Sequence, residues 1–144
     1  MENLKIKKLD ERATIPTYGT SLSAGADLYA LLDSDIIIEP GETVVIPTGL
    51  AMAIPEGYVG LIYARSSLGT KKGLAPANKV GVIDADYRGE VKVVLFNQSQ
   101  NTHTISPNER IAQIVITPFM QVNFQEVSEL DETERGQGGF GSTN

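Results

Sequence analysis

The sequence predicts an all-β fold, because short β-branched segments recur along the chain with turn residues between them. The stretches that separate them, EPGE, IPTG, PEG, DYRGE and SPNE, are rich in the residues that set turn dihedrals. No segment shows a sustained apolar period of about 3.6 residues, which is the pattern of an amphipathic helix. Regularly spaced strands of this kind indicate a sandwich, a jelly roll or a barrel.

Eight segments carry the strand pattern, and β-branched or other apolar residues recur in each of them. In chain order they span residues 4–9, 35–40, 43–47, 50–55, 58–64, 90–97, 110–119 and 122–127. The segment 90–97 begins with apolar and polar residues in alternation and then becomes continuously apolar. The segment 110–119 is apolar almost throughout, apart from Gln113 and Thr117. Both of its faces are therefore expected to be buried, the second one against another subunit.

Two further elements complete the expected fold. Residues 66–73, SSLGTKKG, are the only modest helix candidate and allow at most two turns. The stretches VGVID (80–84) and YRGEVKVV (87–94) are predicted to form the two arms of a hairpin around a polar turn.

The composition predicts one folded domain. With 144 residues, of which 41% are apolar, the chain can bury a core. It has no apolar run of about 18 residues, and the N-terminus MENLKIKKLDERA lacks the apolar stretch of a secretory signal. The absence of cysteine excludes disulfides and thiol chemistry, and we expect a cytoplasmic location. The net charge of −6 comes without a basic stripe, so neither polymeric nucleic acid nor a membrane is an expected partner.

The last ten residues, RGQGGFGSTN (135–144), differ in kind from the rest of the chain. GQGGFG matches a dinucleotide-binding motif, but no helix can follow in the three residues that remain. A P-loop is excluded as well, because Ser142 stands where its lysine would be. Glycines still let backbone N–H groups approach phosphate oxygens, and Arg135 and Ser142 add further donors. The tail is therefore predicted to be mobile and to act as a phosphate-binding lid, or to be simply a flexible end.

Three other segments carry candidate functional groups. Asp27 lies in AGADLYA (24–30), where an Asx turn leading into a strand is the alternative interpretation. YARSSLG (63–69) places an arginine and two serines where a strand runs into a short helix, which suits either an anion site or a helix cap. Asp84, in NKVGVIDADYRGEV (78–91), can orient and deprotonate a water molecule, or can belong to an ordinary turn. Carboxylates without cysteine suit Mg²⁺ rather than zinc.

These segments resemble the five ordered motifs of the trimeric dUTPase family, from about residue 14 to the C-terminus. The motifs are AGADLYA, YARSSLG, NKVGVIDADYRGEV, RIAQIVITPF and RGQGGFGST. The resemblance implies a distorted jelly roll of the dUTPase-like β-clip type and a homotrimer, with each active site assembled from motifs of different chains. Residues 1–134 would form the β domain, and residues 135–144 a mobile, glycine-rich lid over the active site of a neighbouring subunit.

The implied activity is that of a dUTP diphosphatase, an Mg²⁺-dependent enzyme that hydrolyses dUTP to dUMP and pyrophosphate. It keeps uracil out of DNA and supplies dUMP for dTMP synthesis. The resemblance implies that Asp84 holds and activates the attacking water, and that Asp27 positions Mg²⁺ through water. Gln113 would act near the α-phosphate. The implied phosphate donors on the second motif are Ser66 and Ser67, supported by Arg65.

The remaining implied contacts determine which nucleotide binds. The backbone at Val82 and Ile83, helped by Asn78, would bind the uracil edge and exclude a 5-methyl group. Tyr87 would pack under the deoxyribose and reject a 2′-hydroxyl group. Arg135 would bind the γ-phosphate, and Phe140 would stack on the uracil as the tail closes. The other implied substrate-binding residues are Lys92, Gly141 and Ser142.

Two departures from the family pattern keep alternatives open. The second motif usually reads Pro-Arg-Ser-Gly, whereas Ala64 and Ser67 occupy its first and last positions here. A serine at the last position also occurs in the related dCTP deaminases, so a deaminase or a bifunctional deaminase–dUTPase is one alternative. Those relatives carry a catalytic glutamate three residues before the asparagine that ends strand 90–97, and Val94 stands there in this chain. The other alternative is a non-catalytic trimeric module of the same fold.

Overall fold

The computed structural model describes residues 3–141, and nearly all of their regular structure is β-strand. The elements are β1 (Lys5–Lys8), β2 (Thr17–Tyr18), β3 (Ala26–Tyr29), β4 (Ile36–Ile38), β5 (Thr43–Pro47), β6 (Leu50–Ala53), β7 (Tyr58–Tyr63), α1 (Ser66–Gly69), β8 (Leu74–Pro76), β9 (Gly81–Ile83), β10 (Lys92–Asn97), β11 (His103–Ile105) and β12 (Arg110–Pro118). The predicted all-β class is confirmed. Within the described range, no helix is long and apolar enough to cross a membrane.

The strand pairing is that of a jelly roll. β3 pairs with β12, β4 with β11 and β5 with β10, and all three pairs are antiparallel. Because these pairs are nested in sequence, the chain runs as one long two-stranded ribbon that folds across itself. The ribbon is broken into separate sheets, of which the largest has the order β2-β3-β12-β7-β9 and the next β5-β10-β8. The predicted distorted jelly roll is confirmed.

The core lies between these sheets and is filled by alternate residues of their strands. In β10, Val93 and Leu95 point inward and are fully buried, while Lys92 faces solvent, as the alternation predicts. From β12, Ile111 and Ile114 enter the same core. Strand β12 lies in the middle of the largest sheet, and its Gln113 stands opposite Asp27 of β3 on one side and Tyr63 of β7 on the other. This register brings the first, second and fourth motifs together.

Two predictions about elements were wrong. The segment 122–127 is not a strand, because its apolar side chains find no partner edge in the described chain, and Phe124 is 97% exposed. The hairpin is also absent, since β9 pairs with β7 whereas β10 pairs with β5 and β8. The helix candidate within residues 66–73 is confirmed as the single turn α1, which is within the predicted limit of two turns, and the chain turns away at Gly73, where φ is 68°.

Candidate active site

A cleft of about 430 Å³ opens where β3, β7 and β12 meet, and it is called the Asp27 cleft below. Its lining includes Asp27, Arg65, Ser66, Arg110 and Gln113. The structure therefore brings together four of the residues that the sequence predicted as metal- or phosphate-binding, from three separate motifs. Arg110 is an addition that the sequence analysis missed.

Asp27 is held between two arginines. Its side chain is 12% exposed, and Arg65 Nε donates to Oδ1 at 2.7 Å. Arg110 Nη1 donates to Oδ2 at 3.3 Å from the other side. The second guanidinium nitrogen of Arg65, Nη1, donates to Ser67 Oγ at 3.1 Å, which orients the arginine along α1. Two guanidinium groups against one carboxylate leave an unbalanced positive charge beside the cleft, which favours an anionic ligand.

Arg110 reaches this cluster because β12 carries a bulge. The register between β12 and β3 shifts between Arg110 and Ala112. Without the shift, positions 110 and 113 would point to opposite faces of the sheet, whereas the extra residue puts both on the face of Asp27. An arginine that opens a strand was visible in the sequence, but the bulge that turns it toward the cleft was not.

Gln113 is fixed between the first two motifs. Its Nε2 donates to the backbone oxygen of Ala64 at 2.9 Å. Its amide also lies against Gly25, so closely that a Cβ at position 25 would come within 3.0 Å of Gln113 Cδ and would clash with Oε1. The glycine of AGADLYA is therefore needed for the placement of an amide that lines the cleft.

A second pocket, of about 240 Å³, lies beside β9 and is called the Asp84 pocket below. Its lining residues are Val82, Ile83, Asp84, Tyr87, Glu90 and Lys92. Five of these six were predicted from the sequence, and Glu90 is the addition. Asp84 itself is exposed, and Tyr87 N donates to its backbone oxygen at 3.2 Å.

The neighbourhood of this pocket also holds Asn78. Its side-chain amide lies 3.5 Å from the position that a Cβ on Gly81 would take, at the start of β9. β9 is an edge strand of the five-stranded sheet, so one of its two edges has no strand partner in the described chain. Backbone groups at this edge can therefore bind a ligand directly.

The described part of the tail forms a third group, apart from both pockets. Arg135 Nε donates to the Gly138 oxygen at 2.8 Å, and the other tail hydrogen bonds of the described chain stay within residues 133–138. Phe140 is fully exposed, and neither it nor Gly141 lines the Asp27 cleft or the Asp84 pocket. Ser142 lies outside the described residues.

The Asp27 cleft suits a metal that is held indirectly. The described residues contain no group of three or more His, Asp or Glu side chains able to hold a metal ion by themselves. Asp27 is the carboxylate of the cleft, and both of its oxygens already accept hydrogen bonds from arginines. A hard cation such as Mg²⁺ keeps several waters and takes phosphate oxygens as ligands. This donor set fits an ion that reaches Asp27 through water.

Comparisons with known proteins agree with one another. The family model described as dUTPase matches residues 11–144. The deoxyuridine 5'-triphosphate nucleotidohydrolase of Janthinobacterium sp. (strain Marseille) is 48% identical over 99% of this chain and 98% of its own length. The protein of that name from Nautilia profundicola is 52% identical over 97% of each chain.

The fold gives the same result. The structure of the Staphylococcus bacteriophage 80alpha dUTPase with dUPNHPP has a TM-score of 0.90 and 31% identity, over 100% of this chain and 99% of that one. A mutant dUTPase from phage phi11 of S. aureus has a TM-score of 0.79 and 28% identity, over 89% of this chain and 98% of that one. That second structure is described as revealing the coordination of a structural Mg(II) ion.

Proposed function

The chain belongs to the dUTPase family, and from that premise we propose that it hydrolyses dUTP to dUMP and pyrophosphate with Mg²⁺ as its cofactor. The observation that carries the proposal is the division of the motif residues into two pockets. One pocket has an unpaired strand edge, a tyrosine and the exposed carboxylate of Asp84. The other has an excess of positive charge, a serine hydroxyl group and an amide. A nucleoside suits the first pocket and a polyphosphate suits the second.

The nucleoside is bound by β9 and the connection that follows it. The unpaired edge at Val82 and Ile83, with Asn78 beside it, supports recognition of the uracil edge by backbone donors and acceptors. A strand edge offers hydrogen-bonding groups in fixed positions, and the proposed fit of the uracil edge against them excludes a 5-methyl group. Tyr87 packs under the deoxyribose and rejects a 2′-hydroxyl group, and Lys92 at the pocket wall adds a positive charge.

The triphosphate is bound in the Asp27 cleft. Arg65, Ser66 and Gln113 line the cleft and carry donor groups, while Ser67 accepts a hydrogen bond that orients Arg65. Asp27 would hold Mg²⁺ through water, and a bound ion would supply positive charge against the phosphate oxygens. Asp84 accepts a proton from the water that attacks the α-phosphorus. The attack is in line, so the bond from the α-phosphorus to pyrophosphate breaks on the side opposite the water. The exposed carboxylate of Asp84 has no ion-pair partner among the described residues, which supports a role as the base.

The enzyme is a homotrimer whose active sites lie between subunits. In support, the two pockets of one chain have no lining residue in common. The segment 119–134 also leaves the fold with exposed apolar side chains: Phe119, Met120, Val122, Phe124, Val127 and Leu130. Several exposed apolar side chains in one segment are typical of a surface that a partner covers. Sixteen extended residues span up to about 50 Å, which is enough to carry the tail to another subunit.

The tail, residues 135–144, then acts as a lid over the neighbour's site. Arg135 binds the γ-phosphate, and Phe140 stacks on the uracil, with Gly141 and Ser142 completing the lid. Glycines at 136 and 141 have positive φ values of 51° and 89°, which allows the backbone to wrap around phosphate oxygens. The cysteine-free composition further supports a cytoplasmic location.

The deaminase alternative has less support. In β10 the position of the catalytic glutamate of those relatives is held by Val94, an apolar side chain that cannot transfer protons. The described residues of β10 include no aspartate or glutamate.

The proposed function is tested by pyrophosphate release from dUTP, dTTP, UTP and dCTP, with and without Mg²⁺. We expect release from dUTP with Mg²⁺, and release from the other three that is lower by orders of magnitude. Comparable release from dTTP would contradict the role of β9, and comparable release from UTP the role of Tyr87. Ammonia formed from dCTP would identify a deaminase, and nucleotide binding without any turnover would identify a non-catalytic module.

A further inference from the structure

The Tyr87 ring lies on the connection between β9 and β10, residues 84–91, rather than on either strand. Its hydroxyl group donates to the Glu90 backbone oxygen at 2.9 Å, and its backbone N–H donates to the Asp84 oxygen at 3.2 Å. The ring is nevertheless 42% exposed, so packing in the core does not fix its orientation. The orientation of the ring therefore depends on contacts within residues 84–91.

Gly89 supplies the space that the ring occupies. A Cβ built on Gly89 would lie 2.5 Å from Tyr87 Oη, 2.6 Å from Cζ and 3.0 Å from Cε2. These three atoms are its nearest neighbours, and all belong to the one ring. The φ angle of Gly89 is outside the left-handed region, so the backbone itself would accept an L-residue. The obstacle to a side chain at position 89 is Tyr87.

Glu90 fixes the oxygen to which the ring is tethered. One carboxylate oxygen of Glu90 accepts from Gly49 N at 2.9 Å, and the other lies 3.5 Å from Lys92 Nζ. These contacts tie the connection to the turn between β5 and β6. The backbone oxygen of Glu90 is therefore a fixed point, and the phenol lies between it and the bare Cα of Gly89.

We propose that Gly89 is a positioning residue that determines specificity for the sugar. Because it lacks a side chain, the Tyr87 ring can lie against the connection, in the position from which it rejects a 2′-hydroxyl group. The inference rests on the proposed function, because it deepens the role given there to Tyr87. A methyl group at position 89 lifts the ring from the connection and breaks its bond to Glu90. The sugar subsite then changes shape, while the Asp27 cleft is untouched.

The test is Gly89→Ala, assayed by kcat/KM for dUTP and for UTP with Mg²⁺. We expect the ratio of the two values to fall by about tenfold or more, the size of effect that shape complementarity around one small group produces. A loss of folded enzyme would lower both values equally and leave the ratio unchanged. An unchanged ratio in an active, folded variant would overturn the proposal. Failure of the wild-type protein to hydrolyse dUTP would instead overturn the proposed function.

Two further variants separate the steric effect from a backbone effect. Gly41→Ala strains a turn where φ is 77° and no atom lies within 4 Å, so it should lower stability and keep the dUTP/UTP ratio. In a Tyr87→Ala background, adding Gly89→Ala should have no further effect on the ratio, because the two changes act through one contact. If Gly89→Ala alone fails to fold and the double variant folds, that rescue supports the proposal. If both fail to fold, the glycine acts through the backbone and the proposal is wrong.

Discussion

Asp27 and Asp84 carry the same carboxylate group in opposite surroundings. Asp27 is nearly buried, and each of its oxygens accepts a hydrogen bond from an arginine. Asp84 is exposed and has no ion-pair partner among residues 3–141. Both oxygens of Asp27 are already engaged by arginines, whereas the exposed carboxylate of Asp84 is open to a water molecule. These surroundings support the proposed roles, in which Asp27 positions Mg²⁺ through water and Asp84 takes the proton.

Replacing Asp84 by asparagine tests this assignment. The amide keeps the size of the side chain but cannot accept the proton of the attacking water, so kcat should fall by about 10²–10⁴-fold. The KM for dUTP should change little, because the binding groups remain. Asp86→Asn is the matched control, since Asp86 is an exposed aspartate of the same connection that lines neither pocket. Near-normal turnover by Asp84→Asn at saturating dUTP would rule out Asp84 as the base.

Asp10 gives the stability of the protein a dependence on acid. Hydrogen bonds from Arg12 lower the pKa of Asp10 from 3.8 to about 2. Since the folded state has the lower pKa, the contribution to stability is fully present above pH 3.8 and is lost as the pH falls through about 2. Asp10→Asn should therefore cause a small decrease in the thermal midpoint at pH values above 3.8. Near pH 2 it should make no difference. Glu56→Gln is the control, because Glu56 is exposed and has no ion pair in the described chain. If the midpoint difference caused by Asp10→Asn did not depend on pH, the hydrogen bonds from Arg12 would not be its origin.

At the residue scale, sequence reasoning reached most of the groups that line the two pockets. It missed Arg110, because the side of a strand on which a residue lies depends on a bulge in β12 that involves pairing with β3. It also gave no reason for Gly25 or Gly89. What each glycine makes room for is visible only in the folded chain, where Gln113 lies against Gly25 and the Tyr87 ring lies against Gly89.

At the scale of elements, predictions succeeded where the local pattern and the pairing agree. TVVIP was predicted over residues 43–47, and β5 has those bounds because its alternation matches its place beside β10. The segment 122–127 has an equally good pattern but no strand beside it in the described chain, so it stays extended and unpaired. The alternation of apolar residues indicates which side chains favour burial. It does not indicate whether the strand that would pair with the segment belongs to the same chain.

The tail can be removed without loss of the fold if it is a lid. In the described chain, ending the sequence after Glu134 removes only hydrogen bonds within residues 133–138 and none to a strand, so the thermal midpoint should stay nearly the same. Turnover of dUTP should fall by 10²-fold or more, on the order of the loss of donors to a developing anion. A truncated protein with full activity would exclude the lid. Phe140→Trp gives a complementary readout: the chain has no tryptophan of its own, so a change in fluorescence on adding a non-hydrolysable dUTP analogue reports closure.

At the scale of the whole molecule, the proposed trimer predicts that subunits share active sites, since no described tail residue lines either pocket of its own chain. One variant, Asp84→Asn, lacks the base but keeps its tail, and the other, truncated after Glu134, lacks the tail but keeps the base. Each should be inactive alone. When the two are unfolded and refolded together, sites that combine an intact base from one chain with an intact tail from another should form in roughly a quarter of cases.

We therefore expect activity to be recovered in the refolded mixtures and to be highest when the two variants are mixed in equal amounts. Mixing the two folded proteins without refolding is the control, because subunits of a stable trimer should exchange slowly. If refolded mixtures stay inactive although sedimentation shows mixed trimers, the tail serves its own chain and the shared site is wrong.

The nested pairing of the strands also determines when in folding the site comes into existence. Asp27 belongs to the outermost pair of the ribbon, and its neighbours Arg110 and Gln113 are contributed by the last strand, more than 80 positions later in the chain. Such distant pairings are the slowest to form. A nascent chain that has already made β3 and β7 still has no anion site, since the arginine and the amide that complete it arrive with β12. The cleft therefore appears only with the finished fold, and a partly folded subunit should have no affinity for nucleotide.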